Sequence, residues 1–135
     1  MDCIFCKIIA GQIPAGTVYE NERVLAFLDI NPVNPGHTLV VPKNHFASLV
    51  DAPEEVLVEL IKTIKKIVPA VLTGLGADGF NLGLNNGFVA GQVVSHLHFH
   101  IMPRFANDGH QLWQGKPYQP GEAESVLEKI KQALI

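Results

Sequence analysis

Three histidines occupy alternate positions in the stretch SHLHFHIMPR: His96, His98 and His100, with Leu97, Phe99 and Ile101 between them. On an extended strand, side chains two apart leave the same face, roughly 6.5 to 7 Å from one another. The spacing therefore predicts a row of imidazoles on one face and an apolar row entering a core on the other. Imidazoles so placed suit a zinc or copper site, or catalysis in which one attacks a substrate while its neighbours bind or protonate it. The remaining possibility is a polar face with no chemical duty, and strict alternation of three among only six histidines argues against it.

Cys3 and Cys6 form a C-x-x-C near the N-terminus. In a reducing compartment this spacing suits a metal or a redox pair better than a structural disulfide. Alone it supplies half of a tetrahedral zinc site. Two small residues on the first turn of a helix would look the same.

The elements that must hold these residues are legible as periodicities. Residues 3–10 predict a short helix ended by Gly11, followed by a loop at Pro14 and Gly16. TVYE and RVLAFLD predict two strands joined at Glu20 to Glu22, and HTLVVP predicts a third that ends at Pro42. Between the second and third, INPVNPG cannot continue a strand, because Pro32 and Pro35 lack donors and restrict the residues before them. Asp51 as an acidic N-cap, Pro53 in the first turn and Glu54 predict a helix start. Leu57, Leu60, Ile61, Ile64, Ile67, Val68, Val71 and Leu72 continue that helix, with Pro69 expected to kink or end it and Gly74 and Gly76 to stop it. GFNLGLNNG predicts a fourth strand and the histidine stretch a fifth; an irregular tail from Ala106 to Gly121 precedes a closing helix, EAESVLEKIKQALI. Antiparallel strands interrupted by one long helix indicate an α+β fold in which helix covers one face of the sheet.

Composition narrows the partners. The 135 residues suit one domain, and 47% hydrophobic with 17% charged residues is ordinary for a packed chain. Ten scattered Lys and Arg and a formal charge of -3 disfavour a nucleic-acid backbone, which draws affinity from clustered cations. No apolar run approaches a membrane span and the N-terminus has no basic region before a long apolar core, so a cytoplasmic location is expected.

HLHFHIM matches His-φ-His-φ-His-φ-φ, where φ is apolar. With IFCKIIAGQIPA, AFLDINPVNPGHTLVVPKNH, LNNG and the GQ before the histidines, the chain resembles the histidine triad (HIT) family of nucleotide hydrolases and transferases from Cys3 to Arg104, and only loosely beyond. The resemblance implies a single HIT domain over residues 1–135, with a core at 3–104 and a variable tail at 105–135. It also implies a five-stranded antiparallel sheet with one long helix and short terminal helices, in a homodimer whose sheets join across a two-fold axis.

The implied activity is nucleotidyl transfer or hydrolysis at the α-phosphate of purine nucleoside phosphoramidates or dinucleoside polyphosphates. His98 would be the nucleophile, forming a nucleotidyl-His98 intermediate, with its second nitrogen held by a backbone carbonyl near His96. His100 would be donor or general acid, and Gly91 and Gln92 would meet phosphate oxygens. Val93 stands where a common branch of the family carries a hydroxyl residue, a departure that bears on the leaving group. Phe5, Ile8, Phe27 and Ile30 would line the base slot, Asp29 would take the ribose hydroxyls, and Asn85 would sit near the phosphates. His45 and His96 would complete a structural zinc site with Cys3 and Cys6, one ion per chain and none required for chemistry. His37 is expected to be structural, His110 lies in the tail, and Trp113 could cap the site or meet a second subunit. Two other classes share these residues: a zinc-containing nucleotide-binding regulator with little turnover, and a metal store using all three triad histidines.

Overall fold

Two strands that are apolar on both sides form the centre of the molecule. The computed structural model describes residues 2–134, so Met1 and Ile135, the last residue of the expected closing helix, lie outside it. Strands β1 (Thr17–Glu20), β2 (Val24–Leu28), β3 (Thr38–Pro42), β4 (Gly79–Leu84) and β5 (Phe99–Arg104) form one sheet in the order β1-β2-β3-β5-β4, every pair antiparallel. Helices are α1 (Ile4–Ile9), α2 (Glu54–Leu75) and α3 (Glu122–Ala133).

Leu60, Ile64, Ile67 and Val68 of α2 pack on Val24, Ala26, Val40, Leu97, Phe99 and Ile101. Leu25, Phe27, Leu39 and Val41 point the other way, against Cys3 and Phe5 of the α1 region. The sheet is therefore covered on both faces rather than one. The continuous apolar runs VLAFL and TLVVP leave no polar side for water, as in strands buried on both faces.

Three local expectations are corrected. Asp51 is not the cap of α2: Pro53 takes that position in extended geometry, while Asp51 Oδ2 accepts from the Ser48 backbone N–H and hydroxyl. Pro69 does not end the helix, which runs to Leu75 and stops at Gly76 in left-handed geometry. Pro69 and Lys65 are both exposed, away from the core, where the helix bond that Pro69 cannot make is lost outside the packed face. The fifth strand is paired only from Phe99, so of the three histidines only His100 belongs to the ladder.

The loop before β3 is tightly set. Gly36 has φ +90°, and a Cβ there would collide with Leu75 Cδ1 and approach Pro103 Cγ to 3.3 Å. Gly36→Ala should destabilise the fold by about 1–3 kcal/mol, chiefly from the left-handed φ, since the exposed end of Leu75 can turn aside. Urea unfolding checks it.

At the other end, Arg104 grips Asp108 through Nε at 2.8 Å and a second guanidinium nitrogen at 3.0 Å, and Asn34 Nδ2 donates to the same carboxylate at 2.9 Å. The Arg104 guanidinium holds the Asp108 carboxyl well below the usual carboxylate range. This clamp ties the tail to the loop before β3, after which α3 buries none of its residues.

Candidate active site and metal centre

The chain entering β5 is placed by one backbone bond: Leu97 N–H donates to the Phe46 carbonyl at 2.7 Å. Leu97 joins the core under α2, while Phe5 on the α1 side packs edge-on against His96 and His98, with ring centroids 6.0 and 5.0 Å away. His98 Nδ1 lies 2.6 Å from the His96 carbonyl oxygen. A carbonyl can only accept, so Nδ1 carries the proton and Nε2 the lone pair. Burial lowers the pKa of His98, with the His96 carbonyl and Asp29 opposing, so the ring is neutral near pH 7.

A fourth histidine stands behind the third. The Val33 backbone N–H donates to His37 Nδ1 at 3.0 Å, and His37 Nε2 lies 2.9 Å from His100 Nδ1. A backbone amide can only donate, so neutral His37 keeps its proton on Nε2 and gives it to His100 Nδ1. The proton of neutral His100 is then on Nε2, which is buried and has no partner among the described residues. A buried N–H needs an acceptor, so this nitrogen can donate to a group that enters the site. Burial, then His98 and His37, push the His100 pKa down to about 4. His37 thus does more than open a strand. No spacing in the sequence indicates it, because its meeting with His100 depends on the β3–β5 register that sets Leu39 opposite His100.

These rings line a cavity of about 400 Å³. Of the expected residues, Phe5, Ile8, Phe27, Asp29, Ile30, Gly91, His98 and His100 line it, joined by Ile4, Ile13, Leu39 and Val94. Asp29 Oδ1 accepts from the Asn31 N–H at 2.9 Å, and its Oδ2 lies 3.7 Å from His37 Nε2. Gln92 and Asn85 are not in the lining. Gln92 Oε1 accepts from Gly87 N–H at 2.9 Å and its Nε2 donates to the Ala47 and Val94 carbonyls at 2.6 and 3.1 Å, so the side chain fastens the loop instead of facing the cavity. Asn85 Nδ2 makes a long 3.5 Å contact with the Gly91 carbonyl.

Beneath the cavity, Cys3, Cys6, His45 and His96 bring four ligand atoms within 4.8 Å of one another. His96 Nδ1 is 3.4 and 3.6 Å from the two sulfurs, and His45 Nδ1 is 3.4 Å from Cys6 Sγ and 3.1 Å from His96 Nδ1. An ion held tetrahedrally by nitrogen at about 2.0 Å and sulfur at about 2.3 Å gives edges of roughly 3.3 to 3.8 Å, so the donor set fits. His96 Nε2 donates to the Pro42 carbonyl at 2.8 Å, which leaves Nδ1 free to ligate, the outer-shell arrangement metal-bound imidazoles use. None of the four ligands lines the cavity. Asp29, His37 and His100 also cluster within 4.8 Å. They suit a metal poorly, because ligation through His37 Nε2 would move its proton to Nδ1, against the Val33 N–H.

A model of the HIT domain matches residues 10–107. An uncharacterized HIT-like protein of Methanocaldococcus jannaschii is 54% identical over 96% of this chain and 98% of its own length. An adenosine 5'-monophosphoramidase of Schizosaccharomyces pombe is 38% identical over 99% of each chain. Among solved structures, a HIT family protein of Bacillus subtilis superposes with a TM-score of 0.90 at 40% identity, covering 100% of this chain and 99% of that one. A Zn-bound histidine triad family protein of Mycobacterium smegmatis does so at 0.78 and 36% identity, covering 99% of both.

Proposed function

Since this chain belongs to the HIT family, we propose that it is a nucleotide hydrolase or nucleotidyl transferase working through a covalent nucleotidyl-His98 intermediate on purine nucleoside phosphoramidates or dinucleoside polyphosphates. The observation that carries this reading is the opposed pair of tautomers in two residues that line one cavity: His98 has its lone pair at Nε2, and His100 has its proton at a buried Nε2. Nucleophile and acid therefore stand ready without either ring being charged.

For a phosphoramidate, His98 Nε2 attacks the α-phosphorus. The new N–P bond forms as the P–N bond to the amine breaks, and the departing nitrogen keeps the electron pair and takes the His100 Nε2 proton; the imidazolate this leaves accepts from His37 Nε2–H at Nδ1 and faces the new imidazolium of His98 until water restores its proton. The imidazolium is stabilised by the Nδ1–H bond to the His96 carbonyl. Water then attacks phosphorus, returns one proton to His100 and frees the nucleoside monophosphate and His98. Phe5, Ile8 and Phe27 offer the base an apolar slot, Asp29 offers the ribose an acceptor, and Gln92 and Asn85 position the Gly91 loop that meets the phosphate.

The four-ligand centre would hold one zinc ion, which supplies cross-linking of α1 to the sheet. Through His96 it also steadies the carbonyl that orients His98. The long edge of β4, with Phe80 and Leu82 exposed beside Ile61 of α2, supports a homodimer across that edge. Among the described residues no helix is long and apolar enough to cross a membrane.

His37 acts through His100 as a positioning residue. His37→Leu should lower kcat/KM on an adenosine phosphoramidate by about 10²-fold, the usual worth of a general acid, whereas His37→Gln, whose amide can still donate to His100 Nδ1, should recover much of it. Equal losses in the two variants would remove the relay. The test of the function itself is single-turnover AMP release from an adenosine 5'-phosphoramidate and a diadenosine polyphosphate, with quenched samples weighed intact for an AMP adduct mapped to His98. AMP binding with neither release nor adduct would leave a nucleotide-binding regulator.

A further inference from the structure

We propose that Cys3 and Cys6 are a redox-modified pair that governs nucleotide binding: a hydroperoxide closes them into a disulfide, and α1 then loses its hold on the sheet beside the nucleoside slot. The inference rests on the zinc and nucleotide readings above.

The chain places the two sulfurs for closure. Cys3 caps α1 in extended geometry, and its Sγ folds over the first turn to accept from the Cys6 backbone N–H at 3.4 Å. The two sulfurs lie within 4.8 Å of each other. Side chains three apart on a helix are neighbours, so side-chain rotation and a small closing of the first turn bring these sulfurs to the S–S distance of about 2.05 Å. Access is unequal: Cys6 is half-buried, while Cys3 is 7% exposed. An oxidant therefore meets Cys6 first, and Cys3 stands behind it as the resolving sulfur.

The chemistry balances in two steps. The Cys6 thiolate attacks the O–O bond of hydrogen peroxide, becomes a sulfenic acid and expels hydroxide. The Cys3 thiolate then attacks the Cys6 sulfur, the S–S bond forms and a second hydroxide leaves. Two electrons pass from the sulfurs to the peroxide, and both hydroxides take protons to become water. A disulfide offers no thiolate, so His45 and His96 are left as two ligands of a centre that needs four.

The consequence reaches the cavity through Phe5, which stands between the two cysteines in the chain. Its ring meets Phe27 and His98 with centroids 5.4 and 5.0 Å away, and Ile4, Phe5 and Ile8 of the same short helix line the cavity. Among the described residues, every hydrogen-bonding contact of residues 3–9 that reaches beyond residues 2–12 runs from a Cys3 or Cys6 sulfur to His96 or His45. Closing the disulfide withdraws both sulfurs from these imidazoles together. The helix that walls the nucleoside slot is then held by apolar packing alone.

Zinc-loaded protein treated with hydrogen peroxide tests this, followed by intact mass with peptide mapping, zinc transfer to a chromogenic chelator, and AMP affinity by calorimetry. One internal Cys3–Cys6 disulfide should form, zinc should be released in step with it, and the AMP dissociation constant should rise by about tenfold, within the ordinary range of coupling between two sites. Dithiothreitol with added zinc should restore all three, which assigns the effect to the cysteines, because that treatment leaves methionine sulfoxide in place. By reciprocity, saturating AMP should tighten zinc retention against the chelator by the same factor. Sulfinic acid at Cys6 without a disulfide, or an oxidised protein that binds AMP as tightly as the reduced one, would each overturn the inference while leaving the function standing. A reduced protein that binds no zinc, or no AMP, would overturn the corresponding reading and the inference with it.

Discussion

Replacing His98 with Ala or Gly is expected to reduce single-turnover AMP release from an adenosine phosphoramidate by at least about 10⁴-fold, the scale on which covalent enzymes respond to loss of their nucleophile. AMP affinity should change only a few-fold, because the apolar slot of Phe5, Ile8 and Phe27 and the carboxylate of Asp29 remain. The adduct should vanish from intact mass spectra. The asymmetry between rate and binding is what matters. A residue that merely shaped the pocket would lose both together, whereas one that forms a bond only during the reaction loses rate. Residual release above about a tenth of wild type would mean that water attacks directly and that His98 only orients the phosphate.

Stripping the metal should produce the largest change in stability. Structural zinc sites contribute on the order of 10 kcal/mol of apparent binding energy at neutral pH. The net effect is smaller, since the apolar cluster under α2 contains none of the four ligands. Chelation under reducing conditions should lower the melting temperature by more than about 10 °C, at roughly 3 °C per kcal/mol for a domain of this size. Cys6→Ser should reproduce most of the loss and purify with less than one zinc per chain. AMP release at 25 °C should fall as well, because His96 would ligate the ion and its carbonyl accepts from His98 Nδ1–H. Full stability after complete chelation would show that the cluster is held by its own hydrogen bonds and by the packing of Cys3, which is 7% exposed.

Between the two candidate centres stands His96. Its ring meets the Cys3, Cys6 and His45 cluster through Nδ1 and Pro42 through Nε2, and its carbonyl accepts from His98 Nδ1–H. One residue thus links the anchoring of α1 to the orientation of the proposed nucleophile. This explains physically why the first of three alternating histidines lies away from the cavity while the other two line it.

Much of the architecture is local and was therefore open to inspection in the chain itself. Alternation at Leu97, Phe99 and Ile101 sends these side chains into the core under α2, as period two requires. The helical spacing from Leu57 to Leu72 specifies α2, whose Leu60, Ile64, Ile67 and Val68 are buried. The five antiparallel strands follow from the same periodicities, and the HIT resemblance rests on motifs that can be quoted letter by letter.

The rest depends on encounters between distant segments. Pro69 is tolerated because the helix turns it away from the sheet, a property of orientation and not of sequence. The second covered face of the sheet exists because α1 folds back across β2 and β3. The polar atoms of Gln92 go to Ala47, Gly87 and Val94 because the two loops meet there, which diverts a side chain whose motif suggested phosphate. The relay from Val33 through His37 to His100 needs residues 63 positions apart to meet at 2.9 Å, and the β3–β5 register alone places them. Residue types and their periods determined which side chains could do chemistry. Tertiary structure decided which nitrogen of each imidazole carries its proton, because that depends on the single acceptor or donor that folding sets beside it.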